Sequence, residues 1–148
     1  MPLFSIKRIQ KELKILEENS KHHNLRILEV EESKRIRVSI TMSEDTIYSG
    51  ETFILEFVLD PMYPIESPEV TFVDLIPINE HVYSNGHICL SMLYDGWTPA
   101  HTLFSVCLCI ISMLSSSTEK IRPIDDLNYC INALSKSPKL HKWNFKDY

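Results

Sequence analysis

Four short runs between residues 25 and 73 alternate apolar and polar side chains with a period of two. They are LRILEVE (25–31), RIRVSITM (35–42), TFILEFVL (52–59) and EVTFV (69–73). A period of two sends alternate side chains to opposite faces, the pattern of half-buried β-strands. Charged and turn-prone residues divide the runs, including Ser43-Glu44-Asp45 and Ser49-Gly50, and the proline-punctuated DPMYPIESP (60–68) precedes the last. Parallel strands need long crossover connections, which are missing here. The order therefore predicts an antiparallel meander rather than βαβ units.

Helical periodicity flanks this block. In SIKRIQKELKILEENS, Ile6, Ile9, Leu13 and Leu16 recur at steps of three and four, with Lys7, Arg8, Lys11 and Lys14 on other faces. Ser5 is the expected N-cap, and Asn19-Ser20 offers a stop. FSVCLCIISMLSS (104–116) is too long and too apolar for a strand and predicts a buried helix. A last helical pattern, DLNYCINALSKS (126–137), places Leu127, Cys130, Ile131 and Leu134 on one stripe, with Asp125 or Asp126 as cap. The expectation is an α+β fold: an N-terminal helix, a four-stranded antiparallel meander sheet, a long irregular loop, a buried central helix and a C-terminal helix. Residues 1–137 form the core domain. Residues 138–148, polar, basic and aromatic without periodicity, are read as a tail, with a docked strand as the alternative.

At 148 residues the chain is long enough for one domain with a real core. With 44% apolar and 24% charged residues, whole-chain disorder is excluded. A net charge of −5 argues against a dedicated nucleic-acid surface, which would carry a basic stripe. No apolar run approaches a membrane span, and MPLFSIKRIQKELK is charged too early for a secretory signal. Cys89, Cys107, Cys109 and Cys130 show neither CxxC spacing nor a secreted framework, so reduced thiols in an intracellular protein are expected. Cys107, Cys109 and Cys130 fall on the two C-terminal helical patterns and are read as packing.

Cys89 is different. It stands in YSNGHICLSML (83–93), behind an Asn85-Gly86 turn and between Ile88 and Leu90, inside a long irregular stretch from Asn79 to Ala100. Long irregular segments in compact domains usually carry function. If Ile88 and Leu90 pack inward, Cys89 lies near a loop surface. Three readings stay open: a packed thiol, a metal ligand with His81 and His87, or a nucleophile. No second cluster completes a zinc set, so no metal is expected. A protease would need an oriented histidine base, and neither protease-family signature is present. Lone histidines such as His81 and His87 are otherwise solvated loop residues.

The chain resembles the ubiquitin-conjugating enzymes over nearly its whole length. IKRIQKEL resembles their first helix, YSGETFILEFVL their central strands, and YPIESPEVTF their proline-rich connection and fourth strand. NGHICLSML resembles the active-site segment, and WTPAHTLFSVCLCIISMLSS the loop and helix behind it, with the Cys89-to-Trp97 spacing and Pro99-Ala100 in agreement. Most members carry His-Pro-Asn before the cysteine; here Asn79-Glu80-His81 stands there, with His81 in the asparagine position. The W-type enzymes, which attach ubiquitin to protein N-termini, are similar in this histidine. They also resemble the chain in VYSNGHICLS (82–91) and in a basic, KW-containing C-terminus like Lys139–Phe145.

The resemblance implies that Cys89 accepts ubiquitin as a thioester from an activating enzyme and yields it to an amine. His81 would stabilise the oxyanion or fix the loop, and Asp126 would orient the amine. Lys7, Arg8 and Lys11 would face the activating enzyme. Ile65, Pro99 and Ala100 would form the apolar spot for a RING or U-box ligase, with Ile65 replacing the more usual phenylalanine. The expected partners are ubiquitin, the activating enzyme, ligases and substrates with flexible N-termini, with no nucleic acid and no membrane. No cofactor is expected, since ATP is used upstream, and the expected location is the cytoplasm and nucleus. Lysine-directed conjugation with ubiquitin or a ubiquitin-like modifier, and a non-catalytic ubiquitin-binding module that keeps an unused thiol, are the alternatives.

Overall fold

The computed structural model describes residues 3–145, with side chains described from Ser5 onward. The elements run α1 (Leu3–Asn19), β1 (Leu25–Glu31), β2 (Arg35–Thr41), β3 (Thr52–Val58), β4 (Glu69–Val73), α2 (Leu103–Ser115) and α3 (Asp126–Ala133). Short 3-10 turns occupy Lys21–His23, Ser91–Leu93 and Pro138–Leu140.

The sheet is the predicted meander, ordered β1-β2-β3-β4 with every pair antiparallel. Its inner face presents Ile36, Val38, Ile40, Phe53, Leu55, Phe57, Val70 and Phe72, all buried. Against it lie Ile9 and Leu16 of α1 and Leu103, Val106, Cys107, Ile110 and Leu114 of α2, so one apolar core sits between the sheet and these two helices. Thr102 and Ser105 close a capping box at the start of α2, each side chain taking the other's backbone N–H.

Three local readings are corrected. Ser5 is not a cap: α1 starts two residues earlier, and the Ser5 hydroxyl donates to the Tyr63 carbonyl at 2.8 Å from inside the helix. Neither Asp125 nor Asp126 caps α3 with its side chain, because both carboxylates are drawn to Tyr83 and Ser84 in the loop before Cys89. The expected core stripe of α3 faces solvent, with Leu127 73%, Ile131 57% and Leu134 73% exposed, while Tyr129 is the buried residue.

Residues 138–145 lie against the body. Pro138 is buried, the Lys139 ammonium donates to the Ser67 carbonyl at 2.6 Å, and the Trp143 indole N–H donates to the Pro138 carbonyl at 2.9 Å. The remaining positions of the expected tail, 146–148, lie outside the described residues.

Candidate active site

The turn before Cys89 is forced by close backbone approach. Gly86 has φ 91°, and a Cβ there would stand 2.2 Å from the Phe72 carbonyl oxygen. The bare glycine lets the Phe72 N–H donate to the Gly86 carbonyl at 2.9 Å, pinning the turn to β4. The Asn85 side chain accepts from the His87 N–H at 3.1 Å, the local bond that suits asparagine to turns. Beyond the turn the chain is extended: Val82 bridges Ile88, and the Cys89 N–H donates to the His81 carbonyl at 2.8 Å. Ile88 and Leu90 are buried, so Cys89 between them is half-buried and turned the other way.

Aromatic side chains flank this segment. Tyr83 and Tyr129 stack with ring centroids 3.9 Å apart and planes 22° from parallel. The Tyr83 hydroxyl donates to Asp125 at 3.0 Å, and the Tyr129 hydroxyl is hydrogen-bonded to Nδ1 of His87 at 2.7 Å. Burial, chiefly, pushes both phenols far above their ordinary range; Asp125 adds most of the rest at Tyr83 and the Cys130 sulfur at Tyr129, with a smaller rise from Cys89 at each. The Tyr94 hydroxyl donates to the Ile88 carbonyl at 2.7 Å, and Trp143 stacks on Tyr94 with centroids 5.0 Å apart. His87 is therefore no solvated loop residue: it is buried, and burial lowers its pKa so that it is neutral at pH 7.

His81 enters this site through its backbone. Its N–H donates to the Asn79 side chain at 2.8 Å and its carbonyl holds the Cys89 amide. The ring is half-buried with Nε2 3.5 Å from Glu80; burial lowers its pKa and outweighs Glu80, so the contact is not an ion pair at neutral pH. Asp126 accepts from the Ser84 N–H at 2.8 Å and from the Cys130 thiol at 3.5 Å. Burial alone would raise its pKa; the Ser84 and Cys130 hydrogen bonds and the Arg122 charge more than offset that and leave it lowered.

The other expected site residues are spread over two surfaces. Ile65, Pro99 and Ala100 are exposed, and the Trp97 indole donates to the Pro64 carbonyl at 2.9 Å, joining the loops that carry them. Lys7 and Lys11 are exposed on α1. Arg8 is engaged internally, donating to Glu12 at 2.9 Å, the Pro99 carbonyl at 2.7 Å and the His101 carbonyl at 3.0 Å. Among the described residues no group of three or more His, Cys, Asp or Glu could hold a metal ion, and no helix is long and apolar enough to cross a membrane. Of the other thiols, Cys107 is fully buried and pushed up to about 12 by burial, and Cys109 is half-buried and raised by the same cause.

Three residues near the site take roles that nothing in the sequence assigned to them. Asn79 is wholly buried, its amide donating to Tyr48 at 3.1 Å and Ser117 at 2.7 Å. Tyr83 and Tyr129 read in sequence as ordinary loop and helix residues. The Asp125-Asp126 pair was a usable signal of another kind, since two adjacent carboxylates cannot both cap one helix.

A family model described as ubiquitin-conjugating enzyme matches residues 8–146. A probable ubiquitin-conjugating enzyme E2 W from Dictyostelium discoideum is 50% identical over 141 residues, 95% of this chain and 94% of that protein. A probable E2 W-A from Danio rerio is 44% identical over 145 residues, 95% of each chain. The crystal structure of the conjugating enzyme UbcA1 from Agrocybe aegerita superposes with a TM-score of 0.85 at 34% identity, covering 91% of this chain and 98% of that one.

Proposed function

The chain belongs to the ubiquitin-conjugating enzyme family, and on that premise we propose that Cys89 carries ubiquitin as a thioester and yields it to protein N-terminal α-amines. Membership makes it an acyltransferase working between a ubiquitin-activating enzyme and ubiquitin ligases, with ubiquitin as cargo. The observation that carries the assignment is the outward, half-buried Cys89 on a segment fixed through the His81 carbonyl, beside buried and alkaline-shifted phenols.

The Cys89 thiolate attacks the ubiquitin C-terminal carbonyl carbon on the activating enzyme and expels that enzyme's thiolate. A neutral amine then attacks the new thioester, and the tetrahedral oxyanion collapses to an amide, releasing the Cys89 thiolate and one proton from the amine to solvent. ATP is consumed upstream, so no cofactor takes part in either step. His81 is neutral and contributes a single N–H rather than a positive charge. Asp126 stays ionised at neutral pH and fixes the turn before Cys89 through the Ser84 amide. Both are suited to position the acceptor rather than to strip its proton.

An enzyme of that kind favours the acceptor already supplied as free base. An α-amine titrates near ~7.7–8.0 and a lysine near ~10.4, so at pH 7 roughly a tenth of α-amines are neutral against fewer than about one lysine in a thousand. The aromatic side chains around the segment, Tyr83, Tyr94, Tyr129 and Trp143, favour a thin, flexible chain end over a lysine on a folded surface. Substrates with flexible N-termini in the cytoplasm and nucleus follow from this reading.

Two measurements test it. Incubation with activating enzyme, ATP and ubiquitin gives a reducible conjugate, which Cys89→Ser converts to a reduction-resistant ester and which Cys107→Ser and Cys130→Ser retain. Discharge is then faster onto a lysine-free peptide with a free N-terminus than onto its N-acetylated, lysine-bearing counterpart. The reverse order leaves a lysine-directed enzyme, and a reducible conjugate on Cys89→Ala removes Cys89 from the reaction.

A further inference from the structure

The loop from Ile76 to Val82 carries the His81 carbonyl that holds the Cys89 amide, so its shape sets the position of Cys89. On one side the loop is fixed by Asn79, buried and bonded to Tyr48, Ser117 and the His81 N–H. On the other, one cation grips it. Arg122, in the link between α2 and α3, donates from Nη1 to the Pro77 carbonyl at 2.8 Å and the Val82 carbonyl at 3.1 Å, and from Nη2 to the Ile76 carbonyl at 3.4 Å. Pro77 and Val82 lie near the two ends of the loop, so one nitrogen joins its entry to its exit. A planar guanidinium presents several N–H groups in a rigid fork, which an ammonium cannot reproduce.

The same residue stands four positions before Asp126, whose carboxylate holds the Ser84 amide in the turn that leads to Cys89. Arg122 thus bears on two supports of the segment around Cys89: it bonds the loop that holds the Cys89 amide, and its charge acts on the carboxylate that holds the Ser84 amide.

We propose that Arg122 is a positioning residue for amine transfer, closing the neck of the Ile76–Val82 loop so that His81 and Cys89 keep their register while the amine attacks. The proposal rests on Cys89 as the thioester site. Transfer from the activating enzyme needs a reachable thiol. Attack by a free amine needs the thioester carbonyl, its oxyanion and the nucleophile aligned, and a misplacement of about 1 Å there costs on the order of 100-fold in rate. Arg122 therefore acts on discharge far more than on charging, and on any amine, α or lysyl.

The test is single-turnover discharge of the ubiquitin-charged protein across a range of free amino acid, comparing the unsubstituted chain with Arg122→Gln and Arg122→Lys. Arg122→Gln is expected to charge within about threefold of the unsubstituted rate while its limiting discharge rate falls about 100-fold, with the half-saturating amine concentration unchanged. The loss should be equal for glycine and for Nα-acetyl-lysine. Arg122→Lys, which keeps the charge but offers one nitrogen to carbonyls on both sides of the neck, should lose about 10-fold in the same limiting rate. Full discharge by Arg122→Lys overturns the two-ended clamp, and parallel loss of charging and discharge in both variants makes Arg122 merely structural and overturns the proposal. Failure of the unsubstituted chain to charge on Cys89 is a separate result, striking the thioester assignment instead.

Discussion

Gly86 and Gly50 both take positive φ, 91° and 71°, but only one is enclosed. Around Gly50 nothing lies within 4 Å of an added Cβ, so Gly50→Ala costs only the left-handed strain, about 1 kcal/mol. At Gly86 the same methyl meets the Phe72 carbonyl at 2.2 Å, and backbone must move, so Gly86→Ala costs at least about 3 kcal/mol. Urea unfolding of the two variants checks the difference, and charging should fall only in Gly86→Ala, whose turn leads into Cys89. The Asn85-Gly86 pair announced this turn in sequence, because turn chemistry is local. Glu12 announced nothing. It sits on the inward face of α1, buried, accepting from the Tyr63 hydroxyl at 2.7 Å, Arg8 at 2.9 Å and the Leu103 N–H at 2.8 Å. Burial, with the Glu12 charge beside it, pushes the Tyr63 phenol far up. One carboxylate thereby joins α1, the Tyr63 loop and the start of α2, 91 residues away in the chain.

Among the elements, α3 departs furthest from its pattern. Leu127, Ile131 and Leu134 share a face at helical spacing, and an apolar stripe ordinarily turns to the core. Here the helix is held by its other face: Asp125 accepts from Tyr83, Asp126 from the Ser84 amide, and Tyr129 packs between Tyr83 and His87. Those polar and aromatic anchors decide the rotation of an eight-residue helix too short to bury two faces. Ile131→Gln should therefore shift stability by no more than about 0.5 kcal/mol, while Tyr129→Ala should cost about 3 kcal/mol, both read from urea midpoints. By contrast α2 behaves as its composition requires. Its apolar residues occur on several faces, and the core receives them, with Phe104, Cys109 and Ile111 packed against its margin.

At the scale of the whole molecule, the loops that carry the exposed Ile65, Pro99 and Ala100 are tied down because Trp97 bonds to Pro64 and Arg8 bonds to Pro99 and His101. Arg8, expected at the activating-enzyme face, thus also holds the loop that carries two of the three residues expected to meet a ligase. Transient contacts of this kind are small and bind weakly, so one charge at an exposed apolar position is enough to disrupt them. Ile65 is 65% exposed and makes no core contact, so Ile65→Asp should leave charging unchanged and abolish ligase-stimulated discharge. Both rates measured on one preparation decide it, and equal loss of both would mean misfolding rather than a lost surface.

Strand positions and order, the buried nature of α2 and the sharp turn before Cys89 were all set by the sequence itself. They follow from side-chain alternation, apolar length and glycine's φ range, which act between residues close along the chain. The family resemblance at YSNGHICLSML lay in the same local stretch. Tertiary structure alone decided that Glu12 would be buried, that α3 would turn Tyr129 rather than Leu127 inward, that Trp143 would stack on Tyr94, and that Arg122 would close the loop holding Cys89. Each of these is a polar or aromatic contact between segments far apart in sequence. A glutamate, a tryptophan or an arginine looks the same in the chain whether it meets water or a distant carbonyl, and only the packing of the sheet and helices determines which.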